Sequence, residues 1–316
     1  MAESTVSHGT SASPAGSGAP TALVRGQAAP GVAVAPPRSR RGELWRRLAR
    51  NELAVAGAVI LLLVAFAAVF APYLSPEDPL EMNPTKLLQP PSAEHWMGTD
   101  EFGRDILSRV IWGARISLYV GGISVTIAVA VGVSLGLIAG YFGGLIDDAI
   151  ARVLDIVFAF PTILLALGIV GMLGPSLTNT MIAIGIVYTP VYARLSRGTT
   201  LSVKERDFVD AAIISGAASP RIIFRHILPN VAAPLIVQTS LSLSVAILAE
   251  ASLSFLGLGT QPPDPSWGTM VNTGQRLIEL SPWPVVFPGL AIVLAVLAFN
   301  LIGDGLRDAL DPRLRA

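Results

Sequence analysis

Few side chains in this 316-residue chain could do chemistry, and their spacing argues against most of it. A phosphate-binding loop needs a lysine directly after glycine so that its ammonium reaches the phosphates. The two lysines, Lys86 and Lys204, follow Thr85 and Val203 instead. His8, His95 and His226 are too scattered for a zinc-protease motif. No cysteine is present to form a disulfide or a thiolate metal site. Gly303-Asp304-Gly305 has the outline of an aspartyl site, but beside Arg307 at the end of an apolar run it reads as a polar helix end. Neither hydrolytic chemistry nor a metal centre is expected. The remaining candidates are polar groups set in apolar runs: Asp155, Glu250 and Asn300, the last with Asp304 four residues on. Ionisable groups are costly in hydrocarbon and turn to an interior or to water, so these side chains are candidates for a solute path. Interhelical hydrogen bonds and end caps are the competing reading for each.

The elements that would position them are membrane helices. Apolar residues make up 52% of the chain and charged residues 14%, where a soluble protein carries about a quarter. Mean hydropathy is +0.61. The net charge of zero gives no reason to expect a nucleic-acid partner. Crossing about 30 Å of hydrocarbon takes about 20 helical residues. Six runs meet that demand: Leu53 to Ala71, Ile116 to Ile146, Ile150 to Met172, Leu177 to Ala193, from Pro229 to at least Leu248, and Pro284 to Ile302. The expectation is an all-α membrane protein with six transmembrane helices surrounded by lipid and both termini on one side. Of the 22 basic residues, only Lys86, Arg104, Arg109, Arg115 and Arg276 fall on the other side. The positive-inside bias therefore places both termini in the cytosol.

This gives a division of the chain. Residues 1–42, rich in Ser, Ala, Gly and Pro and without an aromatic, are read as a disordered cytosolic tail. Residues 43–115 hold the first span and an extracytoplasmic segment. There Ile106, Leu107, Val110, Ile111 and Ala114 recur at helical spacing, with Asp100–Arg104 and Asp105–Arg109 as i,i+4 pairs. An amphipathic helix lying at the outer face is expected. Residues 116–308 form a five-helix core containing a cytosolic loop at 202–229, and residues 309–316 form a second cytosolic tail.

The loop carries the densest set of local signals. Ser202 and Glu205 are spaced as a capping box, Gly216 supplies a left-handed helix end, and Ser219-Pro220 reads as the cap and first residue of a second helix closed by Pro229. Asp210, Ala211 and Ala212 fall near the end of the first helix, where alanines admit a close partner. The segment resembles the Glu-Ala-Ala loop of membrane subunits of bacterial binding-protein-dependent ABC importers, with Asp210-Ala211-Ala212, Gly216 and Leu228-Pro229 at that spacing. Asp210 stands where the pattern has Glu, and His226 where it has Ile. Four further stretches are similar to the second, C-type, membrane subunit of dipeptide, oligopeptide and nickel importers: 98–105, 250–259, 261–268 and 300–313.

The resemblance implies a type I ABC importer permease fold in the cytoplasmic membrane. It also implies alternating access driven by two ATP-binding subunits that hold ATP and Mg, a homologous second permease subunit, and an extracytoplasmic solute-binding protein. Asp210, Ala211, Ala212, Gly216, Leu228 and Pro229 would then couple to the ATPase. A peptide is the cargo the resemblance favours; a nickel chelate or other small solute is the alternative. An ion-coupled secondary carrier would call for broken central helices and paired ionisable residues near the midplane.

Overall fold

The computed structural model describes residue 46 and residues 48–310. The tail expected over 1–42, and residues 311–316 of the second tail, lie outside the described residues. The helices are α1 (Glu52–Val69), α2 (Ala71–Leu74), α3 (Ile106–Phe142), α4 (Gly144–Phe158), α5 (Thr162–Leu173), α6 (Leu177–Lys204), α7 (Asp207–Ile214), α8 (Ser219–Arg221), α9 (Leu228–Phe255), α10 (Trp267–Gln275) and α11 (Trp283–Leu310). A π-helical turn, Ile222–Ile227, joins α8 to α9. Side-chain caps begin several of them: Asn51 accepts from the Ala54 amide, Asp105 from Ser108, Ser176 from Asn179, and Ser266 forms a capping box with Thr269.

Four helical stretches are long and apolar enough to cross a membrane: α1, α3, the run from Ser219 to Phe255, and α11. A fifth crossing arises if α4 and α5 are taken as one bent span. The sixth expected crossing falls on α6, which is not among these stretches, because its 28 residues include Asn179, Tyr188, Tyr192 and Arg194. Tyr192 is buried in the seam with α3, whereas Arg194 stays exposed. A Cβ added to Gly132 would lie 2.5 Å from the Thr189 carbonyl, and one on Gly136 would lie 2.3 Å from that of Ala193. Glycines here bring two helix backbones into contact, the way membrane helices associate without a hydrophobic driving force. On the other side of α3, α10 presents buried Trp267, whose indole Nε1 donates to the Val110 carbonyl at 2.9 Å.

Two expectations about the outer segment are corrected. No separate amphipathic helix lies across a face: residues 106–115 are the first turns of α3, continuous over 37 residues, about 55 Å. The expected boundary at 115/116 therefore falls inside a helix. The apolar periodicity was real, but it faces the chain's own 75–105 segment and α10. Nor does Asp105 pair with Arg109. Asp105 caps α3 and holds His95 Nδ1 at 3.2 Å. Asp100 takes Arg104 Nε at 2.7 Å and Arg109 Nε at 3.5 Å, and Arg109 also donates to the Pro79 carbonyl at 2.8 Å. Asp100 and Arg104 lie in a turn closed by a Thr99–Asp105 bridge rather than on a helix. Lys86 pairs with Glu94 at the rim of this segment, and that contact holds the Glu94 carboxyl below its usual range.

The third span differs too. Ile150 to Met172 is not one helix: α4 and α5 meet at 90° across residues 159–161. Pro161 is the proximate cause. It occupies the α5 N-cap, lacks an amide proton, and biases Phe160 away from helical geometry.

Candidate functional site

The 202–229 segment does form the expected turn, with different helix limits. Ser202 starts nothing: α6 runs through it to Lys204, and the Ser202 hydroxyl bonds back to the Gly198 carbonyl at 3.3 Å. The capping-box spacing was overridden because α6 is still packed there, with Val203 buried. Arg206 is the N-cap of α7, so Asp207 and Asp210 fall in its first turn, not near its end, and both complement the amino-terminal partial charge. Val209 is fully buried and Ala212 half-buried against the core, while Asp210, Ala211, Ile213 and Ile214 are exposed. The helix thus stands on one face and offers the other outward.

Gly216 ends α7 as expected. Its φ is +75°, the Ala217 amide bonds to the Ala212 carbonyl at 3.1 Å, and the Gly216 amide to Ile213 at 2.9 Å. That pair of bonds is the Schellman arrangement. Pro229, by contrast, does not close the unit. Ala218, rather than Ser219, is the N-cap, Pro220 lies in the first turn, and the helix continues through the π turn and past Pro229 to Phe255. A proline ring inside a helix clashes with the carbonyl four residues earlier, here that of Arg225. The wider π turn lies at that point, with the Leu228 amide reaching Ile223. The Asn230 side chain takes up the His226 carbonyl at 2.7 Å. Leu228 packs on the core and Pro229 is exposed.

The three candidate path residues are not brought together. Glu250 is fully buried: Ser117 of α3 donates to Oε2 at 3.2 Å and Ser254 to Oε1 at 2.7 Å. It ties α9 to α3 and lines no open mouth. Asn300 accepts from the Ser244 hydroxyl at 2.9 Å, joining α11 to α9. Asp304 is exposed. Asp155 differs, because it is exposed and bonds to Arg194 Nη2 of α6 at 2.7 Å. The Arg194 guanidinium also lies 3.9 Å over the Phe158 ring. Nearby, Arg197 grips Asp147 through two bonds of 2.5 and 2.6 Å. The sequence reading missed Arg194 and Arg197 as partners; two arginines three apart at the end of an apolar run were the available signal.

Among the described residues the arrangement offers an exposed helix face at α7 and polar groups bonded between apolar helices. No cluster of His, Cys, Asp and Glu capable of holding a metal occurs among the described residues. Residues 132–316 match the family model described as binding-protein-dependent transport system inner membrane component. Residues 39–91 match the N-terminal TM domain of oligopeptide transport permease C. The chain is 52% identical over 274 residues to the dipeptide transport system permease protein DppC of Alkalihalophilus pseudofirmus, covering 87% of this chain and 90% of that one. It is 50% identical to the di/tripeptide transport system permease protein DppC of Pseudomonas aeruginosa, covering 86% and 92%. It is 46% identical to the glutathione transport system permease protein GsiD of Pectobacterium atrosepticum, covering 87% and 91%. Among solved structures, an inward-facing MetNI methionine ABC transporter chain superposes with a TM-score of 0.53 at 16% identity, covering 65% of this chain and 97% of that chain, a likeness of fold.

Proposed function

This chain belongs to the family of binding-protein-dependent transport system inner membrane components, a permease subunit and not an enzyme, and from that premise we propose that it carries short peptides across the cytoplasmic membrane. The observation that carries the cargo class is the 50–52% identity, over nearly the whole described chain, to permeases named for dipeptide and di/tripeptide transport. The chain supplies a path and a coupling surface. Work comes from two separate ATP-binding subunits holding ATP and Mg; cargo comes from an extracytoplasmic binding protein; a homologous permease completes the path.

The coupling surface is α7 and the Gly216 turn. Val209 and Ala212 root it in the core, and Asp210, Ala211, Ile213 and Ile214 meet the ATPase. Because α6 and the long helix ending in α9 leave this turn directly, a displacement there moves two core helices at once. Both termini and this turn are cytosolic.

The test is reconstitution of the four-subunit complex in proteoliposomes with its binding protein. ATP-dependent accumulation of labelled dialanine that requires the binding protein is the expected outcome. Accumulation of a nickel chelate but no peptide would overturn the cargo class. Accumulation driven by an ion gradient in this chain alone would overturn the coupling.

A further inference from the structure

Building on the peptide-permease reading, we propose that the break between α4 and α5, with the Asp155–Arg194 pair beside it, binds the charged termini of a short zwitterionic peptide in transit, Arg194 taking the carboxylate and Asp155 the ammonium. Two independent observations meet at this place. The first is the pair itself. Asp155 stands on the amphipathic helix α4 and Arg194 on α6 just past its apolar run, and in their 2.7 Å contact the Arg194 and Asp155 side chains are 54% and 62% exposed. Charges in such helices face water or protein, not hydrocarbon. The second is the backbone. Residues 159–161 are not helical, and among the described residues the carbonyls of Phe158, Ala159 and Phe160 accept no hydrogen bond. Non-helical backbone at membrane depth persists only against protein or along a water-filled cavity. An exposed ion pair and an exposed break, one turn apart, therefore call for water or a protein partner along this edge of the chain, and under the proposed site it is the edge that faces the cargo.

The chemistry suits a zwitterion. A guanidinium fork takes a carboxylate through two parallel bonds, and Arg194 is already oriented by the Phe158 ring beneath it. A peptide with both termini free exchanges one internal pair for two, so no charge is stranded. A peptide amidated at its carboxyl end leaves Arg194 nothing to gain, and separating the pair for it would strand a charge. The Asp147–Arg197 pair, with Asp147 only 14% exposed, is the tether that keeps α4 against α6 while the outer pair opens.

The test uses the whole complex carrying Phe160→Cys, since this chain has no cysteine of its own to confuse the readout. Phe160 is 54% exposed beside the break. A positively charged methanethiosulfonate reagent should modify it. Dialanine at about ten times its dissociation constant should slow that modification about tenfold, dialanine amide should not, and Arg194→Gln should remove the protection while leaving the modification. No modification would place the break against the partner subunit or lipid and overturn the site. Equal protection by the amide, or protection that survives Arg194→Gln, would reduce the pair to a latch between helices. Uptake of dialanine by the parent complex is measured alongside. Its absence sinks the peptide reading, whereas uptake with an unprotected Phe160→Cys sinks this site alone.

Discussion

Gly216 separates conformation from contact at a single residue. A Cβ there would meet nothing within 4 Å, so its φ of +75° is the whole constraint. Left-handed backbone costs an ordinary residue about 1–2 kcal/mol, less for asparagine. Gly216→Val should therefore detach or uncouple the ATPase in a pull-down and hydrolysis assay, while Gly216→Asn keeps most of both; equal loss in the two would mean that the side chain collides with the partner. Glu250 presents the opposite case. Glu250→Gln keeps shape and acceptor, and should leave uptake near the parent level. Glu250→Ala strands the Ser117 and Ser254 hydroxyls in a buried site, at about 1–3 kcal/mol each, and should lower the melting temperature of the purified complex. A large uptake defect in Glu250→Gln with unchanged melting would restore a path role. Gly216 was legible because its constraint is local. The Glu250 enclosure was only half legible: Ser254 is one turn away on the same helix, but Ser117 lies 133 residues back.

Between elements, the α3–α6 seam is the tightest joint. Gly136→Ala would set its methyl 1.9 Å from Ser196 Oγ and 2.3 Å from the Ala193 carbonyl, so the helices must part. Gly122→Ala on the same helix meets nothing. Membrane yield and protease resistance should collapse for Gly136→Ala and hold for Gly122→Ala; survival of both would show that the seam yields. The glycines at 132, 136 and 140 repeat every fourth residue, but a sequence cannot say which helix they face. The same limit explains the missed helix boundaries. Ser202 and Glu205 satisfied a local rule for starting a helix, and packing around Val203 carried α6 past them. The apolar run from Ile150 to Met172 hid a right-angle break that Pro161 alone announced. The Asp155–Arg194 pair spans 39 residues and could not be read from spacing.

For the molecule as a whole, the all-helical membrane class and the family-like motifs came from the chain itself, because a membrane protein writes its length scale into uncharged runs; four of the six expected runs became helices long and apolar enough to cross, and a fifth became a bent pair. Sidedness comes from the basic residues and is tested by labelling intact cells with an impermeant thiol reagent. Ser266 would be a poor reporter, since it is buried as the cap of α10. Glu279, which is exposed, is the better position. Glu279→Cys should label from outside and Arg206→Cys only after lysis; the reverse pattern would invert the protein in the membrane.

The π turn at Ile222–Ile227 has a consequence at the far end of its helix. One surplus residue in a turn advances everything beyond it by about 100° of azimuth, since a residue subtends that angle in an α-helix. The bearing of Glu250 toward Ser117 is thus set some two dozen residues upstream, like the phase of a screw fixed by one missed thread. Deleting exposed Phe224 or Arg225 takes out the surplus residue and the wide turn together, so the Glu250 carboxylate should stay in its serine pocket and the melting temperature of the complex should hold, whereas deleting exposed Ile236 from an ordinary turn should swing it out by that same angle and lower the melting temperature.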